Sequence, residues 1–462
     1  MKTIFVLSAK FLFVAIILSA YSCESFVEVD LPKSQLTSQI VFEEYETADA
    51  ALKDIYASIR SNGILTGSGG GISNQIGNYT DELTSVDKPN NPSLSFYNNA
   101  VLPSNTYVTI YWNTSYSQIY AANSIIEGVA KSNALSDQQK RQLHAEALFI
   151  RSLLHFYLAN LFGNVPYITG TDFKKNSTAS RTSVQEIYEN IIKDLEDAAA
   201  ALPVSYSTND RVRPNRLAVK ALLARVYLYN KFYPEASNTA SAVINEAELY
   251  AIEPDVTKVF LINSTETIWQ LQAGNTGLNT LEASFFTFNS GPPSQVSLSN
   301  SLVNSFNTSD QRRFSWIKAI TNGTSTWYHA FKYKENNSTS ASREYSIIFR
   351  LSEQYLIRAE ARAEAGDLIG AKEDLNVVRH RAGLENTQAV TQQEILRAVL
   401  AERRWELFTE FGHRFFDLKR TGELDNVLSG VKIGWKSTES LLPISQTELS
   451  ANLNLLPQNP GY

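Results

Sequence analysis

The sequence predicts a mostly α-helical protein in which paired helices form a superhelical frame that carries long loop-rich regions and little β structure. Three observations predict it: apolar residues recurring at helical spacing between clear stops, two alanine-rich helix–turn–helix stretches that resemble one another, and intervening segments of Ser, Asn, Thr and Gly without helical period.

The helical segments come first. Leu143, Ala147, Ile150, Leu154, Tyr157 and Leu161 fall three or four apart, and the run stops at Gly163 with Pro166 beyond it. Ser183 and Glu186 form a capping-box pair ahead of Ile187, Ile191, Leu195 and Ala198, so a second helix is expected up to Leu202-Pro203. Leu217, Ala221, Ala224 and Leu228 make one arm of a pair, Asn230-Lys231 the turn, and Ala236, Ala240 and Val243 the other arm after Pro234. Leu351, Tyr355, Ala359 and Ala363 run to Gly366-Asp367, where the glycine suits a helix end and the aspartate the next N-cap; Leu368, Ala371, Leu375 and Val378 then resume. Antiparallel pairs with small residues at the contact are the pattern of tetratricopeptide-like units, which stack into a curved scaffold.

Segments 61–79, 88–109 and 250–346 read as ordered loops rich in aromatics, and only 267–272 reads as a clear strand.

The N-terminus bears on the compartment. Lys2 and Lys10 precede an apolar run, 11–18, and then Ser19-Ala20-Tyr21-Ser22-Cys23, which reads as an export signal over 1–22. The run is too short to span a bilayer, and no later stretch is apolar enough to do so. Cys23 is the only cysteine in the chain, which excludes internal disulfides and Cys-based metal sites. Its place behind Ala20-Tyr21-Ser22 matches the lipobox of bacterial lipoproteins, so Cys23 is the expected lipidation site. Each buried acyl methylene contributes about 0.8 kcal/mol, enough for several chains to hold a folded domain at a membrane. The rest, 23–462, is expected to form a single domain, with an N-terminal helical part (23–245), a loop-rich middle (246–346) and a C-terminal part (347–462). A net charge of −6 argues against a nucleic-acid partner, which needs a basic face.

Glu402, Arg403, Arg404, Glu406, Glu410, Arg414 and Asp417 form the most tempting catalytic cluster, because carboxylates at i and i+4 could divide acid and base work. Ile395, Val399, Glu402 and Glu406 line one helical face, however, and nearby arginines lower carboxylate pKa values, the reverse of what a general acid needs. A packing role is expected, and no enzyme. His144, His155, His329, His380 and His413 show no metal-ligand spacing, so neither catalytic metal nor cofactor is expected.

Several ordered motifs carry a resemblance. Cys23-Glu24-Ser25-Phe26-Val27-Glu28-Val29-Asp30-Leu31-Pro32 opens the mature chain; Trp112, Tyr116, Ile119 and Ala122-Asn123 follow, then Ala145-Glu146-Ala147, Arg151 and Phe162-Gly163-Asn164-Val165-Pro166. In the C-terminal part come Arg350-Leu351, Glu353, Tyr355-Leu356 and Ala359-Glu360-Ala361, then Arg379, Arg381-Ala382-Gly383-Leu384, Glu402-Arg403, Glu406-Leu407, His413-Arg414, Phe416-Asp417-Leu418 and Gln458-Asn459-Pro460-Gly461-Tyr462. In order and spacing these resemble the SusD/RagB family of outer-membrane nutrient-binding lipoproteins. The resemblance implies four tetratricopeptide-like units, a location at the cell outer membrane facing the exterior, and a SusC-like TonB-dependent outer-membrane transporter as partner. It implies capture of an oligosaccharide without catalytic turnover, with peptide capture, as in RagB-like members, the alternative.

A pyranose presents apolar C–H faces and a hydroxyl rim, so its site wants exposed rings and amide or charged partners. Phe96, Tyr97 and Tyr107, with Asn78, Asp81 and Glu82 upstream, supply one such region. Phe285, Phe286, Phe288, Trp316, Trp327 and Tyr328, with Asn289, Gln295, Arg312 and Lys332, supply another. The residues selected as ligand-binding are Trp316, Trp327, Tyr328, Tyr97, Phe96, Asn78 and Asp81; Trp316 and Trp327 lead because their polar surroundings favour exposure. Trp112, Tyr116 and Trp405 are assigned to packing.

Overall fold

In a computed structural model, which describes residues 40–462, the frame begins with α1 (Tyr45–Ser61), α2 (Ile72–Tyr79) and α3 (Ser93–Tyr97). It continues through α4 (Thr106–Lys131), α5 (Asp137–Phe162), the one-turn α6 (Phe173–Asn176), α7 (Val184–Ala201), α8 (Arg216–Tyr229) and α9 (Tyr233–Ile244). A middle region holds α10 (Leu281–Phe286), α11 (Asn300–Ser305) and α12 (Gln311–Ser315). The frame then resumes with α13 (Leu351–Glu364), α14 (Leu368–Arg381), α15 (Gln392–Leu407) and α16 (His413–Thr421), followed by α17 (Leu424–Leu428) and α18 (Gln446–Ala451). The export signal and Cys23 lie outside the described residues.

Local chemistry sets the helix ends. Ser136 and Gln139 cap one another's backbone to start α5, whose C-cap is Gly163. Ser183 Oγ accepts the N–H of Glu186 at 3.2 Å, so the serine half of the expected capping box starts α7. Asp367 Oδ1 accepts the N–H of Gly370 at 2.9 Å and starts α14. Helices α4, α5, α7, α8, α9, α13, α14 and α15 pack each against the next. Their contacts are small where the sequence placed alanine: Ala221, Ala224, Ala236, Ala240, Ala359, Ala363 and Ala371 are fully buried.

The middle region is more regular than its composition suggests. Strands β1 (Leu83–Ser85), β3 (Val296–Leu298), β5 (Ser325–Ala330) and β4 (Ile317–Asn322) form an antiparallel sheet in that order. The β4–β5 hairpin pairs Ile317 with Ala330 and Asn322 with Ser325 across a two-residue turn. The expected strand at 267–272 is present as β2 (Thr267–Leu271), paired antiparallel with β6 (Ser346–Arg350), and every residue of both is buried. Within 61–79, expected as loop, α2 is a helix with all eight residues buried; Ile72, Ile76 and Tyr79 recur at helical spacing, a short signal masked by the Ser, Asn, Gln and Gly between them.

A buried ionic cluster joins the middle region to the helical frame. Arg312 of α12 pairs with Asp310 at 2.8 Å, Glu402 at 2.6 Å and Glu406 at 2.8 Å. Arg350 of β6 reaches Glu406 and, at 2.9 Å, Glu410; Arg381 of α14 reaches Glu406 and, at 2.8 Å, Glu266; Lys332 reaches Glu410 at 2.5 Å. Burial alone would raise the pKa of Glu406, but Arg381, Arg350 and Arg312 hold it well below the usual carboxylate range. Glu402 goes the other way, burial outweighing Arg312 and Arg379.

Candidate functional site

The segment between α1 and α2 contains Gly67-Ser68-Gly69-Gly70-Gly71, and its backbone is pinned by side chains of the surrounding helices. Asn74 Nδ2 and Gln75 Nε2 donate to the Gly69 carbonyl at 2.8 and 2.7 Å, and Tyr111 Oη donates to the Gly70 carbonyl at 2.8 Å. Two rings close on this ridge. A Cβ added to Gly69 would fall 2.5 Å from Cε2 of Phe285, and one added to Gly70 would fall 3.2 Å from Cε1 of Tyr107. Helices α10 and α4 thus bring rings far apart in sequence onto consecutive residues, an approach that at Gly69 only side-chain-free backbone permits.

Both rings are half-buried and are braced by rings behind them. Tyr107 meets Phe96 edge-on at 6.4 Å, and Phe285 meets Phe286 edge-on at 5.0 Å. Edge-to-face support fixes ring orientation while part of each ring stays open. Such a pair offers flat hydrocarbon to an apolar ligand face at little conformational cost, because the bracing has already removed the rotamer freedom.

A second aromatic element is the β4–β5 hairpin. The half-buried Trp327 ring lies on Gly291, where an added Cβ would come within 2.3 Å of Cε3. Tyr328, also half-buried, pairs in register with Leu298 and Ala319 and has the Arg313 guanidinium 5.2 Å from its ring centre. Neighbours in a strand point to opposite sheet faces, so these two rings serve different surfaces. Tyr97 is half-buried at the end of α3 under Lys432, whose Nζ lies 4.0 Å from the ring centre and donates to the carbonyls of Asn78 and Tyr97. Burial pushes the Lys432 amine down to about 8.

Four residues selected from the sequence lie inside the protein. Trp316 is 0 % exposed; its Nε1 donates to the Val256 carbonyl at 2.7 Å, and Lys332, Arg350 and Arg381 stand over its ring. The polar sequence around it is the ionic cluster, whose cations stack on the indole, and so polar neighbours here accompany burial. Phe96 is 0 % exposed, wedged between Tyr79 and Tyr107. Asn78 is 0 % exposed, with its amide on Asn74 Oδ1 at 2.9 Å. Asp81 is buried between Arg404 at 2.7 Å and Arg414 at 2.9 Å, and although burial opposes it, these arginines lower its pKa. The selection passed over Tyr107 and Phe285, which were only named among the loop rings; the signal for both was the glycine run they rest on.

The carboxylates of Glu402 and Glu406 are likewise 0 % exposed and reach arginines rather than solvent. His155 Nδ1 donates to the Arg151 carbonyl at 2.9 Å while Nε2 accepts the N–H of Ile168 at 3.2 Å, which fixes a neutral ring; burial pushes its pKa down to about 3. Among the described residues no group of three His, Cys, Asp or Glu side chains could hold a metal ion, and no helix is long and apolar enough to cross a membrane.

Comparison with known proteins covers both ends of this frame. A SusD-like family model, described as starch-binding and associating with the outer membrane, matches residues 42–228, and the SusD family model matches 311–462. SusD-like protein P25 of Formosa agariphila is 24 % identical, covering 97 % of this chain and 98 % of its own length. Among solved structures, a laminarin binding SusD-like protein is 24 % identical with a TM-score of 0.78, over 91 % of this chain and 99 % of that one. Surface glycan-binding protein A from Bacteroides thetaiotaomicron is 21 % identical with a TM-score of 0.75, over 91 % and 100 %. Two SusD models in order along one helical frame, with the C-terminal motifs inside the second, place this chain in the SusD/RagB family.

Proposed function

We propose that this chain is a glycan-binding lipoprotein of the outer membrane, anchored through Cys23 and facing the exterior, that passes oligosaccharide to a SusC-like TonB-dependent transporter without transforming it. The observation that carries the reading is the Tyr107–Phe285 pair set on the Gly69-Gly70 ridge, two braced and partly open rings matched to the C–H faces of pyranose units. Trp327 on its own glycine support extends the available aromatic surface. The similarity to a laminarin binding SusD-like protein and to a surface glycan-binding protein supports the same ligand class. Peptide capture has no comparable feature in its favour.

Titration calorimetry against a panel that includes laminarin tests the binding step. At least one glycan should bind, and the Tyr107→Ala, Phe285→Ala double variant should abolish the heat while its thermal midpoint stays close to that of the parent. Silence across the panel, or undiminished binding by the double variant, would defeat the reading. The anchor is tested by palmitate labelling in cells, which Cys23→Ala should eliminate, and the delivery step by co-purification of a TonB-dependent barrel from outer membranes.

A further inference from the structure

A groove of about 660 Å³ runs between the C-terminal end of α5, the start of α7 and the chain's last segment, and it shares no residue with the aromatic platform. Two cations line it, Lys419 of α16 and Arg181 just ahead of α7. The Lys419 amine donates to the Asn160 carbonyl at 2.6 Å. Arg181 donates to the carbonyls of Asn164 and Pro457, both at 2.7 Å, and to Asn459 Oδ1 at 2.6 Å. All four acceptors are uncharged.

No carboxylate among the described residues compensates either group. Burial lowers the pKa of both groups, that of Lys419 to about 7, and a bound anion would restore the charge of the amine. The chain's acidic residues outnumber its basic ones by 47 to 41, and its buried arginines sit on Asp or Glu, as Arg151, Arg213 and Arg225 do; half-buried Arg211, like Arg181, bonds backbone carbonyls instead. Bonding capacity is also left over: an ammonium has three donors and a guanidinium five, of which the contacts above use one and three. Beside these donors the groove presents Leu441, Pro457 and Pro460, an apolar wall.

We propose that this groove is a second ligand site, which takes an acidic pyranose, its carboxylate or sulfate held between Lys419 and Arg181 and its C–H face laid on the proline wall. The charge-assisted bonds supply recognition of the anion, and the wall selects a sugar over a bare ion. The site stands apart from the platform reading and holds or falls separately from it.

The test uses the full chain, with galacturonic acid, inorganic sulfate and glucose titrated at constant ionic strength while heat and thermal midpoint are followed. Galacturonic acid should bind saturably and glucose should not. Lys419→Gln and Arg181→Gln should each weaken galacturonic acid by about tenfold or more, whereas Lys419→Arg, which keeps the charge, should retain most of the affinity. If Lys419→Gln does not fold, Arg181→Gln, at a half-buried position outside the helices, decides alone. Absence of saturable galacturonic acid binding overturns the proposal. So does equal binding by the parent and Arg181→Gln, and so does a response to sulfate alone.

Discussion

Arg312 and Glu406 meet at 2.8 Å with neither side chain reached by solvent. Their pairing ties α12 of the middle region to α15 of the helical frame, and Arg350 and Arg381 converge on the same carboxylate. Removing one partner of a buried pair leaves an uncompensated charge and costs about 3–5 kcal/mol. Arg312→Met leaves Asp310 without its ion-pair partner and takes one of several cations from Glu402 and Glu406, so its loss in urea unfolding should fall in that range. A change below about 1 kcal/mol would mean that the cluster relaxes or hydrates when broken.

Trp316 and Trp327, equal candidates from sequence, should separate cleanly. Trp316→Ala empties a fully enclosed site and should destabilise the fold by about 3–5 kcal/mol. Trp327→Ala removes a half-buried ring from a hairpin and should leave the unfolding midpoint far less changed. Paired thermal and denaturant melts check the contrast.

These tryptophans also mark where the sequence was legible. Helix ends were, because Gly163, Ser183 and Asp367 act on backbone groups within a few residues of themselves. Strand β2 was too, from its β-branched and aromatic start, Thr267-Ile268-Trp269. The β4–β5 hairpin had a local signal that the loop reading overlooked: Gly323-Thr324, a two-residue turn with glycine at its first, positive-φ position, between segments that pair in register. Burial of Trp316 and Asp81 was not legible, because their partners come from far along the chain; the arginines on Asp81 lie more than three hundred residues away. Composition near a residue does not report such long-range pairing.

The glycine ridge gives a graded test. At Gly69 an added methyl would sit 2.5 Å from the Phe285 ring, too close for any Cβ, whereas at Gly70 the 3.2 Å gap to Tyr107 closes with a small shift. Gly69→Ala should therefore lose more glycan affinity than Gly70→Ala, with a stability cost of about 1–3 kcal/mol for the overpacking. Calorimetry on both variants with the best glycan decides; equal losses would show that Phe285 swings aside freely and that its orientation carries little of the binding.

Glu82 supplies a pH test whose sign is fixed by its surroundings. Burial, reinforced by Asp81, raises its pKa from 4.5 to about 7 against the pull of Arg414, Lys332 and Arg404, and its Oε1 has no hydrogen-bond partner. The folded state thus holds a proton that the unfolded chain gives up near 4.5. The stability this contributes is fully present below pH 4.5 and is lost as pH rises through about 7. His155, neutral in the fold with a pKa near 3, has the opposite slope on the acid side, where the unfolded chain binds the extra proton. A difference between variant and parent isolates Glu82 from that background. Glu82→Gln cannot ionise, so relative to the parent it should gain stability from about pH 5 to about pH 8.5, by up to about 3 kcal/mol. Parallel Tm–pH curves for the two proteins would show that Glu82 is already ionised in the fold, drawn down by the arginines that hold Asp81.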